Sequence, residues 1–400
     1  MTNAPSGPRP ARTAGGRARR AAITVAAGTA ALGVLAPVVA TAGTGSALAA
    51  SARGAQDARH GAPRGLQAAA QRLVADGQPG VIIMSRNGTR VSHVTAGVAD
   101  KATGRPMDPR LHFRIASVTK SFTATVVLKL VAERKVSLDD TVDKWLPGLV
   151  RANGNDGRKI TVRQLLQHTS GLREYALDPR VQGEPRRDWK HEELIAMATE
   201  QPPLSEPGDE WHYSNANYIL AGMIVEKATG HSFAHELKRR IIKPLKLRHT
   251  SMPTTRAMPR PYVHGYFGSL GDVSTEISPS SGWTSGGMIS TVDDVARFHR
   301  ALFTGRLLPK AQQRQLTETR HVVDEGLEQD YGLGVTKMKL ACGDAWGHDG
   351  GWPGYRTWTY TSPDGRRQAV ITYNDNDQRM EQDKTFRDHL AKAAEIAFCR

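Results

Sequence analysis

The sequence predicts an α+β fold, an antiparallel sheet flanked by helices with a mainly helical lobe inserted into it. Three observations carry this. β-rich runs lie near both ends of the 400-residue chain, the middle is dominated by helical spacing, and Asn87-Gly88 sits between two β-rich runs as a hairpin signal. Strands at both ends with helices between them close into one sheet when the first hairpin meets the last strands. The length suits one large unit or two interlocked lobes, and no internal repeat is present.

Residues 1–50 hold Arg9, Arg12, Arg17, Arg19 and Arg20 and no acid. The 22-residue run AAITVAAGTAALGVLAPVVATA and the ending Ala47-Leu48-Ala49 follow. A basic start, an apolar stretch and a small-residue end are the parts of an export signal. Residues 1–49 are therefore expected to be a cleaved signal peptide, and the protein to be secreted, with association to the cell wall as a variant of that location. Ala, Gly and Thr dominate the run and Pro37 interrupts it, which argues for cleavage over retention as an anchor. Arg19-Arg20 leaves a twin-arginine route open beside the general one. Residues 50–64, small and polar, read as a flexible linker, and 65–400 as the folded domain.

Residues 66–77 have helical spacing, and the hairpin follows. A helix is expected over 118–134, and 139–250 is mainly helical. Within that stretch NANYILAGMIVEKATGH repeats apolar residues at helical intervals and stops at Gly230. A further helix starts at Thr291 and ends at Gly305. β character returns in AWGHDGGWPGYRTWTYTSPDGRRQAVITYN, which reads as three strands with Ser362-Pro363-Asp364-Gly365 turning the last pair. Residues 379–398 suggest a closing helix.

Formal charge is +15, and loss of the five leader arginines leaves +10. In an exported protein such a surface suits anionic wall polymer or membrane better than nucleic acid, and no Lys/Arg block interleaved with aromatics marks a nucleic-acid groove. The only cysteines, Cys342 and Cys399, can pair in an oxidising compartment and fasten the C-terminal segment. No cysteine cluster or His-Glu-x-x-His is present, so no metal or other cofactor is expected.

Three short motifs carry chemistry. In FRIASVTKSF, Ser117 leads a helix and Lys120, three residues on, shares its face. A helix start favours developing negative charge, and apolar neighbours lower a lysine's pKa toward base duty. The spacing alone is weak, since about one such match arises by chance in a chain of this size; a capping serine with a surface lysine would look the same. In EPGDEWHYSNANY, Tyr213 and Asn215 sit two apart before a helix and point the same way in an extended segment. A phenolate beside a lysine ammonium could relay a proton while the amide orients substrate. The plainer alternative is a packed tyrosine and a capping asparagine. In WGHDGGWPG, His348, Asp349, Gly350 and Gly351 lie on an expected strand whose small residues let backbone approach a substrate.

In this order and on these elements, Ser-x-x-Lys, Tyr-x-Asn and His-x-Gly resemble the penicillin-recognising serine hydrolases. HTSGL (168–172), YSNANYILAGMIVEKATG, GWTSGGMISTVDDVARF and YGLG extend the likeness to the class C β-lactamase and D-alanyl-D-alanine carboxypeptidase family over roughly residues 65–400. Cys342 with the Ala-Phe-Cys ending is most similar to the Streptomyces-type DD-carboxypeptidases. The resemblance implies a β-lactamase/transpeptidase-like fold, with Ser117 as acylated nucleophile and Lys120 with Tyr213 as the proton-handling pair. Asn215 would hold the substrate amide, His348 would support the site electrostatically, and Trp283 would line the cleft. The backbone N–H groups of Ser117 and Gly351 would form the oxyanion hole.

Two places depart from the carboxypeptidase pattern. Asp349 stands where those relatives carry Thr, and Thr336, with Lys337 beside it, stands where they carry an arginine after YGLG. An ionised Asp349 facing the cleft would repel a substrate carboxylate unless Lys337 paired with it. The expected function is an exported serine hydrolase, first a D-alanyl-D-alanine carboxypeptidase acting on peptidoglycan stem peptides and acylated by β-lactams. A β-lactamase, D-amino-acid amidase or esterase on the same site are the alternatives for a small acyl substrate. A non-catalytic wall-binding or sensor protein is the alternative of another class. A monomer is expected.

Overall fold

The computed structural model describes residues 62–324, 327–377 and 382–400. The expected signal peptide and nearly all of the linker lie outside the described residues. Strands in chain order are β1 (Gly80–Asn87), β2 (Arg90–Asp100), β3 (Arg105–Pro106), β4 (Phe113–Arg114), β5 (Ile289–Ser290) and β6 (Arg320–Asp324). β7 (Leu327–Tyr331), β8 (Thr336–Leu340), β9 (Gly343–Gly347), β10 (Asp349–Trp352), β11 (Tyr355–Thr361) and β12 (Arg367–Tyr373) follow. Five helices frame the argument: α1 (Leu66–Ala75), α2 (Thr119–Ala132), α3 (Asn215–Thr229), α4 (Val292–Phe303) and α5 (Lys384–Cys399).

The main sheet runs β3-β2-β1-β12-β11-β9-β8-β7-β6, with β10 also on β11. The first hairpin meets the last strand as expected, antiparallel, from Val81↔Tyr373 to Asn87↔Arg367. The hairpin turn is one residue later than Asn87-Gly88. Asn87 closes the ladder on Arg90, and Gly88, at φ 63°, takes the first central position, where a two-residue turn needs a positive φ.

β1 is buried on both faces because helices cover both. Val81 and Ile83 pack with Leu73 of α1 and with Phe386 and Leu390 of α5. Ile82 and Met84 join the larger core with Phe122 and Val126 of α2 and Tyr218 of α3. Each such side chain contributes about 1.5–3 kcal/mol on burial. α2 is buried nearly all round, as a helix without a polar face should be. Cys342 and Cys399 are joined, Cα atoms 5.6 Å apart, which ties the end of α5 to the β8–β9 turn.

Sequence spacing missed β6, β7 and β8, the outer strands toward the β6 edge, whose charged sequences lack a clean alternation. It also read three late strands where there are four. β9 and β10 break at His348: β9 reaches β11 only at Thr361↔Trp346, whereas β10 pairs along Asp349↔Trp358 to Trp352↔Tyr355. That break leaves the other edge of β10 open toward the start of α2. Among the described residues no helix is long and apolar enough to cross a membrane.

Candidate active site

Ser117 stands on a tight helical turn, Ala116–Val118, that feeds α2. β4 fixes the approach through Phe113↔Ser290 and Arg114↔Ile289, and Ile115 N–H donates to Met288 O. Ala116 is held at φ 49°, a region that costs an L-residue about 1–3 kcal/mol and persists only where surroundings enforce it. β10 is the enforcing neighbour. A Cβ on Gly350 would lie 2.3 Å from Ile115 O and 3.1 Å from Ser117 N. The glycine therefore admits the strand against the nucleophile turn; it is the turn, rather than substrate, that this residue approaches.

Lys120 is wholly buried one helical turn on. Its Nζ lies 2.7 Å from Asn215 Oδ1, 2.8 Å from Ser285 O and 3.0 Å from Ser117 Oγ. Asn215 donates through its backbone N and Nδ2 to Glu174 Oε2, at 2.8 and 2.9 Å. A carboxylate only accepts, so the amide oxygen must face the lysine. A neutral lysine then spends both N–H bonds on obligate acceptors and aims its lone pair at the Ser117 hydroxyl. Burial pushes its pKa down to about 7, against the opposing pull of the Glu174 and Asp349 charges. Neutral lysine is thus accessible near neutral pH, as a general base requires.

Tyr213 donates to Ser117 Oγ at 2.8 Å. Burial drives its phenol well above the usual range, more than the Ser117 hydrogen bond lowers it. The phenolate expected from sequence is therefore replaced by a neutral phenol, a proton donor suited to a departing amine. His168, from HTSGL, stacks on the Tyr213 ring at 4.3 Å and accepts from Ser214 N–H at 3.1 Å. Burial holds His168 neutral, so it can accept that bond.

The remaining expectations divide. Asn215 and Gly351 line a cavity with Ser117, walled by Ala176, Val181, Pro185, Ile277 and Trp352. The two-residue turn after Trp352↔Tyr355 sets the ladder alternation so that the Gly351 N–H faces away from β11, to the open edge. There it converges with the Ser117 N–H, one of the first-turn donors a helix cannot satisfy. Together they can receive an oxyanion.

Trp283 does not line this cavity. Its indole stacks on His191 at 3.6 Å and meets Phe233 edge-on, inside the helical lobe. Trp352, six residues before Trp358 in the same strand pair, supplies the aromatic wall instead, backed by the buried Arg114 guanidinium 5.2 Å over its ring.

His348 is buried, 3.1 Å from the Tyr331 hydroxyl, and burial pushes its pKa down to about 4. It is therefore neutral, edge-on to the Tyr331 ring. Asp349 pairs with Arg356, Oδ2 to Nη2 3.0 Å, and not with Lys337. Lys337 binds Asp344, and Thr336 is buried opposite Gly347; neither stands in the cleft.

Glu174, His168 and Tyr331 were not assigned roles from sequence. HTSGL and YGLG held two of them as unassigned family likeness, and nothing local signals Glu174. The one grouping of possible metal ligands among the described residues, His231, His235 and Glu236, sits past the far end of α3, with Glu236 already bound by Arg239 and Arg240. It is no part of this site.

The family model described as Beta-lactamase matches residues 66–392. A solved D-stereospecific amidohydrolase from Streptomyces sp. is 40% identical, covering 84% of this chain and 98% of that one at a TM-score of 0.74. The D-amino acid amidase of Ochrobactrum anthropi SV3, crystallised with L-phenylalanine amide, is 27% identical over 83% and 97% of the two chains, TM-score 0.75. Penicillin-binding protein 4* of Bacillus subtilis (strain 168) is 28% identical over 79% of this chain and 71% of its own. With a serine, a buried lysine and a tyrosine converging on one oxygen, the chain belongs to the beta-lactamase family of serine hydrolases.

Proposed function

We propose that this hydrolase cleaves amides, esters or short peptides of small D-amino acids through an acyl-enzyme on Ser117. The neutral Lys120 takes the Ser117 proton as Oγ attacks the carbonyl carbon, and the oxyanion forms against the Ser117 and Gly351 N–H groups. Tyr213 gives its proton to the departing amine. Water then attacks the ester and gives its proton to the Tyr213 phenolate left by the first step, while the Lys120 ammonium returns its proton to Ser117 Oγ as the acyl group leaves.

One observation carries the substrate class. Glu174, half-buried, accepts from Asn215 and, at 2.7 Å, from Ala176 N–H, both of which line the cavity. Glu174 does not itself line the cavity but stands directly behind these two residues, and a carboxylate there would draw the ammonium of an unblocked amino acid toward the acyl side. The cavity encloses about 90 Å³, small against the 300–1,000 Å³ of pockets for larger ligands, which suits one amino-acid side chain. The cations near the strand are engaged, Arg356 with Asp349 and Lys337 with Asp344. The likeness to the D-stereospecific amidohydrolase from Streptomyces sp. and the D-amino acid amidase of Ochrobactrum anthropi supports D-configuration and amide chemistry.

The D-alanyl-D-alanine carboxypeptidase reading, with peptidoglycan stem peptides as substrate, is the second choice. It is favoured by the likeness to penicillin-binding protein 4* and by an arginine, Arg356, close beneath the oxyanion strand. Export is part of the proposal, and the Cys342–Cys399 disulfide supports an oxidising location. The test is hydrolysis of D- and L-phenylalanine amide, D-alanine p-nitrophenyl ester and D-Ala-D-Ala by purified protein. D-amides and D-esters should turn over fastest. Preference for L-amides, or for the free-acid dipeptide over every amide, would overturn the first reading.

A further inference from the structure

β10 divides its residues between two faces. Gly350 and Trp352 face the Ser117 turn and the acyl cavity. Asp349 and Gly351 face the opposite side, where Arg356 lies directly across from Gly351 on β11. A Cβ on Gly351 would come within 2.8 Å of Arg356 Nη1, so the guanidinium head occupies the space a side chain there would fill. The same guanidinium holds Asp349 through Nη2. The pair is covered, Arg356 4% and Asp349 16% exposed at the side chain. A cation thus sits beneath the residue whose N–H receives the oxyanion, and a carboxylate two positions earlier neutralises it.

We propose that Asp349 is a specificity-determining residue that keeps Arg356 from a substrate carboxylate, and so selects leaving groups without a negative charge. This rests on the reading that the acyl group fills the Ala176–Trp352 cavity. The leaving group then departs on the Asp349 side of β10, within reach of the pair. With Asp349 ionised, an arriving carboxylate meets a neutral pair whose less covered member is negative. With that charge removed it meets a guanidinium whose planar fork matches a carboxylate. Asp349 also raises the pKa of Lys120, but that effect is common to all substrates and cancels in a ratio.

The experiment compares wild type, Asp349→Asn and the double variant Asp349→Asn/Arg356→Met. The double change removes both partners, which avoids a buried unpaired charge, and circular dichroism melts establish that each variant folds. The readout is the ratio of kcat/KM on D-Ala-D-Ala to that on D-Ala-D-Ala amide. It should rise tenfold or more in Asp349→Asn and return toward the wild-type ratio in the double variant. A second ratio, acylation of Ser117 by benzylpenicillin against its methyl ester, followed by mass spectrometry, reads the same charge without a D-aminoacyl substrate. If neither dipeptide is cleaved, the D-aminoacyl reading has failed and the penicillin ratio alone decides. Ratios unchanged by Asp349→Asn, or raised equally in the double variant, would overturn the proposal.

Discussion

The two walls of the cleft are built by different means. The wall from the helical lobe works through side chains: Lys120, Tyr213, Asn215 and Glu174 form one continuous hydrogen-bonded net around Ser117 Oγ. The β10 wall works through backbone. Gly350 admits the strand against the nucleophile turn, Gly351 offers an N–H, and the two charged side chains, Asp349 and Arg356, are spent on each other. The net confines proton transfer to the lobe side, where every member is buried or half-buried. Substrate choice is left to the strand and the cavity ends, where a substitution need not disturb the base. Changes on the first wall should therefore alter rate with every substrate, and changes on the second should alter preference.

The largest effect tests the first wall at its centre. Ser117→Ala should lower kcat/KM by a factor on the order of a million, the scale at which loss of a serine nucleophile leaves only binding and oxyanion donors. It should also abolish covalent labelling by penicillin or a fluorophosphonate. A label that persists in the variant would move the nucleophile elsewhere.

Tyr213→Phe comes next. Removing a general acid costs about 10²–10⁴-fold, and the loss should concentrate on amides, whose amine must leave protonated. A p-nitrophenyl ester expels a stable phenolate and should lose far less. Equal losses on both would assign Tyr213 to positioning Ser117 Oγ rather than to protonating the leaving group.

A pH profile sharpens the role of Lys120 without a mutation. The lysine must be neutral to accept the Ser117 proton, and its pKa in the folded protein is about 7. On the acid side kcat/KM should fall about tenfold per pH unit as the ammonium forms, and flatten above that pKa. From pH 7, where half the lysine is neutral, to pH 5 the loss is then about fiftyfold. A flat profile through this window would mean that Lys120 does not titrate in the free enzyme.

Legibility in the sequence follows the same division. Ser117, Lys120, Tyr213 and Asn215 stand out because their spacing on a helix start and an extended segment is local, and local geometry is what periodicity encodes. Where β10 is concerned, the glycines were visible but their neighbour was not. Gly350 packs on Ile115 and Ser117, more than 230 positions away in the chain, and Asp349 pairs across a hairpin with Arg356 rather than with Lys337. Trp283 and Trp352 exchange places in the cleft for a similar reason. Which aromatic faces substrate depends on His191 and Phe233 drawing one of them into the lobe. The sheet order was legible from its two ends, since β1 and β12 carry strong β character. The outer strands β6 to β8, of which β6 forms the sheet edge, were not, because charged, weakly alternating residues suffice where one face meets solvent.

Glu174 gives the smallest expected effect and the finest distinction, because it belongs to the first wall yet lies directly behind Ala176 and Asn215, which line the acyl cavity. A glutamine there keeps an oxygen to accept from Asn215 but loses the charge. If the carboxylate pairs with a substrate ammonium, Glu174→Gln should raise KM on D-phenylalanine amide about tenfold, worth about 1.4 kcal/mol. N-acetylated D-phenylalanine p-nitrophenyl ester, which carries no ammonium, should escape that increase. A second readout separates this from simple disturbance of the net. The Glu174 charge raises the Lys120 pKa, so its removal lowers that pKa and moves the acid limb of kcat/KM to lower pH. Both shifts together would assign Glu174 to ammonium recognition and to tuning the base. A displaced acid limb with no discrimination between blocked and unblocked substrates would keep Glu174 in the net and remove it from the substrate site.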